Sequence, residues 1–189
     1  MITQAFVLSA GLGTRLRPLT DDLPKPLVPI FQKPLITFAF DHLIDLGISR
    51  IFVNTHHLPE RFAEAFPGAA YRDRRIEFSH EPDLLETAGG IANIADLLSS
   101  GPLLVYNGDV LTDLPIAQLI DDHFQFRNQV TLALRSGIGP KHIALDPSSG
   151  RIIDIRNQLG TGAPDEFAFT GLYIVEGRFV DILERGVKR

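Results

Sequence analysis

Arg15, Lys25 and Asp109 are the side chains of this 189-residue chain whose types and surroundings suit chemistry on a phosphate. Two of them follow a glycine turn, Val7-Leu8-Ser9-Ala10-Gly11-Leu12-Gly13-Thr14-Arg15-Leu16-Arg17-Pro18-Leu19-Thr20, then Leu23-Pro24-Lys25-Pro26-Leu27. Gly11 and Gly13 have no Cβ, so backbone there can take positive φ and approach a ligand closely. Successive N–H groups in such a turn converge on an anion. Arg15, Arg17 and Lys25 add positive charge close behind. A buried strand over Ala5 to Leu8, a glycine turn and convergent cations make a phosphate cradle.

Two common phosphate loops are excluded. The dinucleotide fingerprint needs a third glycine where this chain has Leu16, and the P-loop needs a Gly-Lys-Ser/Thr run that is absent. The pattern Gly-x-Gly-Thr-Arg-Leu-x-Pro-x-Thr followed by Pro-Lys-Pro-Leu resembles the signature of the sugar-1-phosphate nucleotidyltransferases, the nucleotide-sugar pyrophosphorylases. The resemblance runs from Thr3 to about Leu183. It implies that Ala10, Gly11, Gly13 and Thr14 hold the nucleotide phosphates.

Three further constellations follow in the chain. Asn107-Gly108-Asp109 ends an apolar strand, where open α/β sheets gather ligands. Magnesium favours one or two carboxylates plus substrate phosphates, so Asp109 is the expected Mg²⁺ ligand. By itself the tripeptide also reads as a plain turn. Glu81-Pro82-Asp83-Leu84-Leu85-Glu86-Thr87-Ala88-Gly89-Gly90 leads into a helix, whose start offers free N–H groups and a positive dipole end. The resemblance implies that Glu81, Thr87, Ala88, Gly89 and Asn107 meet the base and ribose. A carboxylate at Glu81 accepts hydrogen bonds only, which suits the N–H edge of uracil or guanine. The motif is nearest to N-acetylmuramate-1-phosphate uridylyltransferases and mannose-1-phosphate guanylyltransferases. The alternative reading of Glu86 and Thr87 is a helix cap. Phe169-Thr170-Gly171 places a glycine inside a strand, a mark of close ligand approach. The resemblance implies sugar-phosphate contacts at Gly108, Thr170 and Gly171. Many relatives carry Glu-Lys-Pro where this chain has Ile155-Arg156-Asn157, and Arg156 is the substitute phosphate clamp. His56 and His57 are adjacent, so on a strand they point to opposite faces and suit no shared metal.

The elements that must position these residues alternate. Helical spacing of apolar residues runs from Pro34 to a stop at Gly47. Strands are expected over Ile48 to Asn54, Arg75 to His80, Pro102 to Tyr106 and Gln129 to Arg135. Helices are expected over Leu58 to Phe66, Ile91 to Leu98 and Ile116 to Phe124. Strand, cradle, helix, strand is the logic of a βαβ unit. From Lys141 the texture changes: His142 to Asp146, Arg151 to Arg156 and Phe167 to Val175 read as short antiparallel strands that cover a substrate. Asp146-Pro147-Ser148-Ser149-Gly150 is a hairpin turn, and Phe179 to Leu183 a last helical turn. The predicted fold is α/β: a three-layer α/β/α sandwich with a central mixed, mostly parallel sheet. It is Rossmann-like, of the nucleotide-diphospho-sugar transferase type.

Composition bounds the partners. Hydrophobic residues make up 44% and charged residues 22%, ordinary for a soluble domain with its own core. A net charge of −5 argues against a nucleic-acid or membrane surface. The absence of cysteine excludes disulfides, thiolate metal sites and a cysteine nucleophile. No signal peptide and no long apolar run is visible, so a cytoplasmic protein is expected, with a homodimer allowed.

The resemblance implies transfer of a nucleotidyl group from an NTP, UTP first and GTP next, to a sugar 1-phosphate. Arg15 would steady the pyrophosphate, Lys25 the α-phosphate, and Mg²⁺ on Asp109 would bridge the substrates. Two alternatives are a non-catalytic nucleotide-sugar sensor and a cytidylyltransferase acting on a phosphorylated alcohol. Relatives continue into a Trp-x-Asp-x-Gly-Thr segment whose Asp is a second metal ligand. Nothing of that kind precedes Lys188-Arg189. The expectation is one domain over 1–189 that lacks its C-terminal segment, or a site completed by a partner.

Overall fold

A computed structural model describes residues 1–137 and 139–183. The chain end at Lys188 and Arg189 lies outside the described residues. The elements in order are β1 (Gln4–Leu8), β2 (Pro29–Ile30), β3 (Lys33–Pro34), α1 (Ile36–Asp45), β4 (Arg50–Thr55), α2 (Pro59–Ala65), β5 (Ala70–Tyr71), β6 (Arg74–His80), α3 (Glu86–Asn93), β7 (Leu103–Asn107), α4 (Ile116–Gln125), β8 (Val130–Arg135), β9 (Ile143–Leu145), β10 (Ile152–Ile155), β11 (Ala168–Val175) and α5 (Gly177–Val180). Two compact units result: Met1–Thr131 with the chain from Tyr173 onward, and Leu132–Leu172. No helix among the described residues is long and apolar enough to cross a membrane.

The main sheet has seven strands in the order β5-β6-β4-β1-β7-β11-β8. Its centre is parallel: β6 beside β4, β4 beside β1, β1 beside β7. Parallel central strands are covered on both faces and so need continuous apolar runs. β1 and β7 have them, with Ala5, Phe6, Val7, Leu103, Leu104, Val105 and Tyr106 all fully buried. Each of the Val, Leu and Phe side chains contributes about 1.5–3 kcal/mol when removed from water. The expected mixed, mostly parallel α/β sheet is the one that forms. β5 is its antiparallel edge, two residues long.

α1 buries Ile36, Phe40 and Leu43, one helical face at i, i+4, i+7. It stops where glycine predicts. Gly47 takes φ 79, its N–H donates to the Ile44 carbonyl, and the Ile48 N–H donates to the Leu43 carbonyl. That is a Schellman cap, with buried Ile48 and Leu43 as its apolar pair. Phe31 and Gln32, both at positive φ, turn the β2–β3 hairpin. Two boundaries differ from expectation. The third helix begins at Glu86 rather than Ile91 and gives way to a 3-10 turn over Ala95–Leu97. Gly90 lets the start of this helix lie close over the buried Glu81 and Asn54 side chains. The last helix begins at Gly177, ahead of Phe179, and an ideal Cβ at residue 177 would stand 2.7 Å from the Ser100 carbonyl oxygen, an approach that only glycine permits.

In the second unit, β9 and β10 pair antiparallel, and Asp146 organises the hairpin between them. Its carboxylate accepts from the Ser148 and Ser149 N–H groups and from the Ser148 hydroxyl. The Ser148 hydroxyl first, then those amides, hold the Asp146 carboxyl down to about 2.

Candidate active site

The carboxyl ends of β1, β4 and β7 open into a cavity of about 540 Å³ belonging wholly to the first unit. Its wall includes Ser9, Ala10, Gly11, Gly13, Thr14, Arg15, Lys25, Asn54, Leu84, Glu86, Thr87, Asn107 and Asp109. The parallel register explains the convergence: Leu8 pairs with Asn107, so the glycine turn and Asp109 leave the sheet side by side.

Gly13 is the pivot of the cradle. It sits at φ 63, in the left-handed region, and a Cβ there would stand 3.0 Å from Thr20 Cγ2 and 3.1 Å from Lys25 Cβ. Its carbonyl accepts from the Leu16 N–H at 2.9 Å and the Thr20 hydroxyl at 2.9 Å. Thr20 is buried, and its own carbonyl meets His57 Nε2 at 2.9 Å. His56 Nδ1 lies against the Glu81 carbonyl instead, so the two histidines have separate partners. Gly11 behaves differently from expectation. Its φ is outside the left-handed region and a Cβ would meet nothing within 4 Å. The chain needs glycine at 13 for its own conformation, while at 11 only the cavity side is left open.

The cations divide. Arg15 and Lys25 line the cavity. Arg17, expected beside them, pairs with Asp21 at 3.3 Å on the surface, because the 3-10 turn over Thr14–Leu16 carries it outward. Lys25 Nζ lies 2.5 Å from Asp109 Oδ2, both side chains about one-third exposed. Asn107 lines the wall as expected. Gly108 does not: it is buried, its N–H donates to the Leu8 carbonyl, and a Cβ there would stand 2.5 Å from Ser9 Oγ. It packs two strand ends closely together and lies off the cavity wall.

Among the residues expected near the base, Thr87 lines the wall, beside Glu86 of the same loop, while Ala88 and Gly89 fall behind it. Glu86 adopts φ 60, a left-handed conformation for a non-glycine residue at the cavity edge. Glu81 departs most from expectation. It is fully buried, and its carboxylate accepts from the Asn54 side-chain N–H at 2.8 Å and the Leu85 N–H at 3.1 Å. With both oxygens engaged beneath α3, it has no face toward a base. Asn54 was missed in the sequence. Its signal was a polar residue ending the apolar run Ile51-Phe52-Val53.

In the second unit, Arg156 is exposed at φ 55 in the turn after β10, its N–H donating to the His142 carbonyl. The Thr170 hydroxyl donates to the Ala133 carbonyl at 2.8 Å, and Gly171 takes φ 94 within β11. Arg156, Thr170 and Gly171 are absent from the cavity wall described above.

The glycine turn, two cations and one carboxylate thus share one cavity at the carboxyl ends of parallel strands. The chain belongs to the nucleotidyl transferase family, whose model matches residues 4–142. It is 33% identical over 184 residues to the mannose-1-phosphate guanylyltransferase of Mycobacterium tuberculosis, covering 96% of this chain and 51% of that one. It is also 33% identical to the N-acetylmuramate alpha-1-phosphate uridylyltransferase of Neisseria meningitidis serogroup B, covering 97% of this chain and 79% of the relative. The chain thus spans about half the length of the first relative and most of the second. A UDP-glucose pyrophosphorylase solved with UDP-glucose has the same fold, with a TM-score of 0.77 at 19% identity over 96% of this chain and 79% of that one.

Proposed function

We propose that the chain catalyses attack of a sugar 1-phosphate on the α-phosphorus of an NTP, giving an NDP-sugar and pyrophosphate. The observation that carries this reading is the meeting of Arg15, Lys25 and Asp109 on one cavity behind the Gly13 turn. One P–O bond forms to the sugar phosphate oxygen and one breaks to the leaving pyrophosphate. The nucleophile is a phosphate monoester, mostly dianionic at neutral pH with a second pKa of about 6, so no general base is needed. Such transfer depends on positioning and charge neutralisation. Arg15 steadies the pyrophosphate as it departs. Lys25 draws the α-phosphate, leaving Asp109 as substrate arrives.

Among the described residues no group of three or more His, Asp or Glu side chains forms a metal cage. One carboxylate beside a phosphate cradle does fit a cation brought in by its substrate, because Mg²⁺ keeps waters and phosphate oxygens as its other ligands. Asp109 is the residue that would hold it, and a bound ion would supply charge neutralisation to the phosphates. UTP is the favoured donor and GTP the next, in keeping with the two kinds of base in the relatives' names. The test is pyrophosphate release across a matrix of NTPs and sugar 1-phosphates, with and without Mg²⁺. Release with a UTP or GTP pair supports the proposal, and no release from any pair sinks it.

A further inference from the structure

A single buried hydrogen-bond chain joins the phosphate cradle to the loop that opens α3. The Ser9 N–H donates to Asn54 Oδ1 at 2.6 Å, Asn54 Nδ2 donates to Glu81 Oε1 at 2.8 Å, and the Leu85 N–H donates to Glu81 Oε2 at 3.1 Å. Ser9, Asn54 and Glu81 are each less than 5% exposed. Three donor groups face three acceptor atoms, with backbone N–H groups fixed at both ends. The polarity therefore has one solution: a turned Asn54 amide would set its NH₂ against the Ser9 N–H. Above the chain lies Gly90, where an ideal Cβ would stand 3.0 Å from Glu81 Oε1 and 3.1 Å from Asn54 Nδ2. Glycine there leaves the strut its room.

We infer that Asn54 and Glu81 are positioning residues that hold the cradle and the Leu84–Thr87 loop at the spacing one nucleoside triphosphate requires. Cradle and loop lie on the same cavity, the first through Ala10 to Arg15 and the second through Leu84, Glu86 and Thr87. In the proposed reaction, on which this inference rests, a nucleotide must touch both at once. Its phosphates answer to the cradle and its base and ribose to the loop. Glu81 acts on the nucleotide through Leu85, without touching it.

The donor count makes a sharp test. Glu81→Gln places a second NH₂ in the chain, and Asn54→Asp sets two carboxylates against each other. The double variant Asn54→Asp/Glu81→Gln restores three donors to three acceptors, with the amide and the acid exchanged. Hydrogen exchange of residues 9–16 and 82–88, thermal melting, and KM for each substrate are measured on all four proteins. Each single variant should quicken exchange in both segments and raise KM for the NTP about tenfold, the size of one lost charge-assisted hydrogen bond, leaving KM for the sugar phosphate unchanged. The double variant should return both readouts toward wild type. Single variants that fail to fold beside a double variant that folds support the strut equally. Silent single variants, a double variant no better than the worse single one, or equal rises in both KM values overturn it. If wild type converts no substrate pair, the transferase reading falls, and paired exchange with its rescue decides the strut alone.

Discussion

Lys25 Nζ and Asp109 Oδ2 stand 2.5 Å apart although 84 residues separate them in the chain. Both side chains line the cavity, and the proposed reaction gives each a substrate-directed task. Both side chains are about one-third exposed, so the mutual attraction is largely screened. A partly exposed pair of this kind adds about 0–1 kcal/mol to stability. Asp109→Ala and Lys25→Ala should therefore melt within a few degrees of wild type. Their turnover should fall about 10²-fold or more, as when one preorganised charge contact is lost. Melting temperature and kcat measured together check this; a wild-type rate in either variant removes that residue from the chemistry.

The two glycines of the cradle should separate cleanly. Gly13→Ala forces an L residue to φ 63 and presses Cβ against Thr20 and Lys25. The conformation alone costs about 1–2 kcal/mol, so urea unfolding should shift clearly. Gly11→Ala meets nothing and has no positive φ to hold. Its unfolding midpoint should be unchanged while KM for the NTP rises, because the new methyl faces the ligand. A destabilised Gly11→Ala protein would contradict the division.

Gly108 places two strand ends against each other, and its limit is Ser9. A Cβ at 108 lies 2.5 Å from Ser9 Oγ and 3.1 Å from the Leu8 carbonyl. Gly108→Ala should destabilise by about 1–3 kcal/mol, the usual penalty for overpacking. Ser9 Oγ is buried with no hydrogen-bond partner among the described residues, so Ser9→Ala should be neutral or stabilising. Combining the two should recover part of the loss, leaving the contact with the carbonyl. Additive effects in a double-mutant cycle would refute direct contact.

Alkali should unfold the protein through its tyrosines. All three, Tyr71, Tyr106 and Tyr173, are raised above the ordinary phenol value, each chiefly by burial. Tyr106 is pushed up to about 12. Tyr71 is held further by donating to Asp41 at 2.9 Å. A raised pKa means the native state keeps its proton while the unfolded chain loses it near pH 10. The stabilisation is thus whole below about pH 10 and drains between about pH 10 and 12. Phenolate absorbance should appear together with loss of helical signal. Titration of one or more tyrosines near pH 10 in the folded protein would argue against it.

The cradle was legible in the sequence because its chemistry is local. Glycine at 13, the arginine two places on and the Pro-Lys-Pro after it are read within a couple of turns of chain, where backbone sterics leave few conformations. The strands β1, β4 and β7 were legible for the same reason, as apolar runs with no polar alternative. What lay beyond reading was every decision made by register. Leu8 beside Asn107 brings Asp109 to Lys25, and Thr55 beside His80 leaves Glu81 just past the end of the ladder, within reach of the Asn54 amide. By resemblance Glu81 was a reader of bases, and by residue type Arg17 was a third cation; packing buried the one beneath α3, and the 3-10 turn sent the other to Asp21. A side chain's type sets what it can bind. Which neighbour reaches it first is settled only when distant strands align, because hydrogen bonds and ion pairs act over a few ångströms that sequence spacing does not measure.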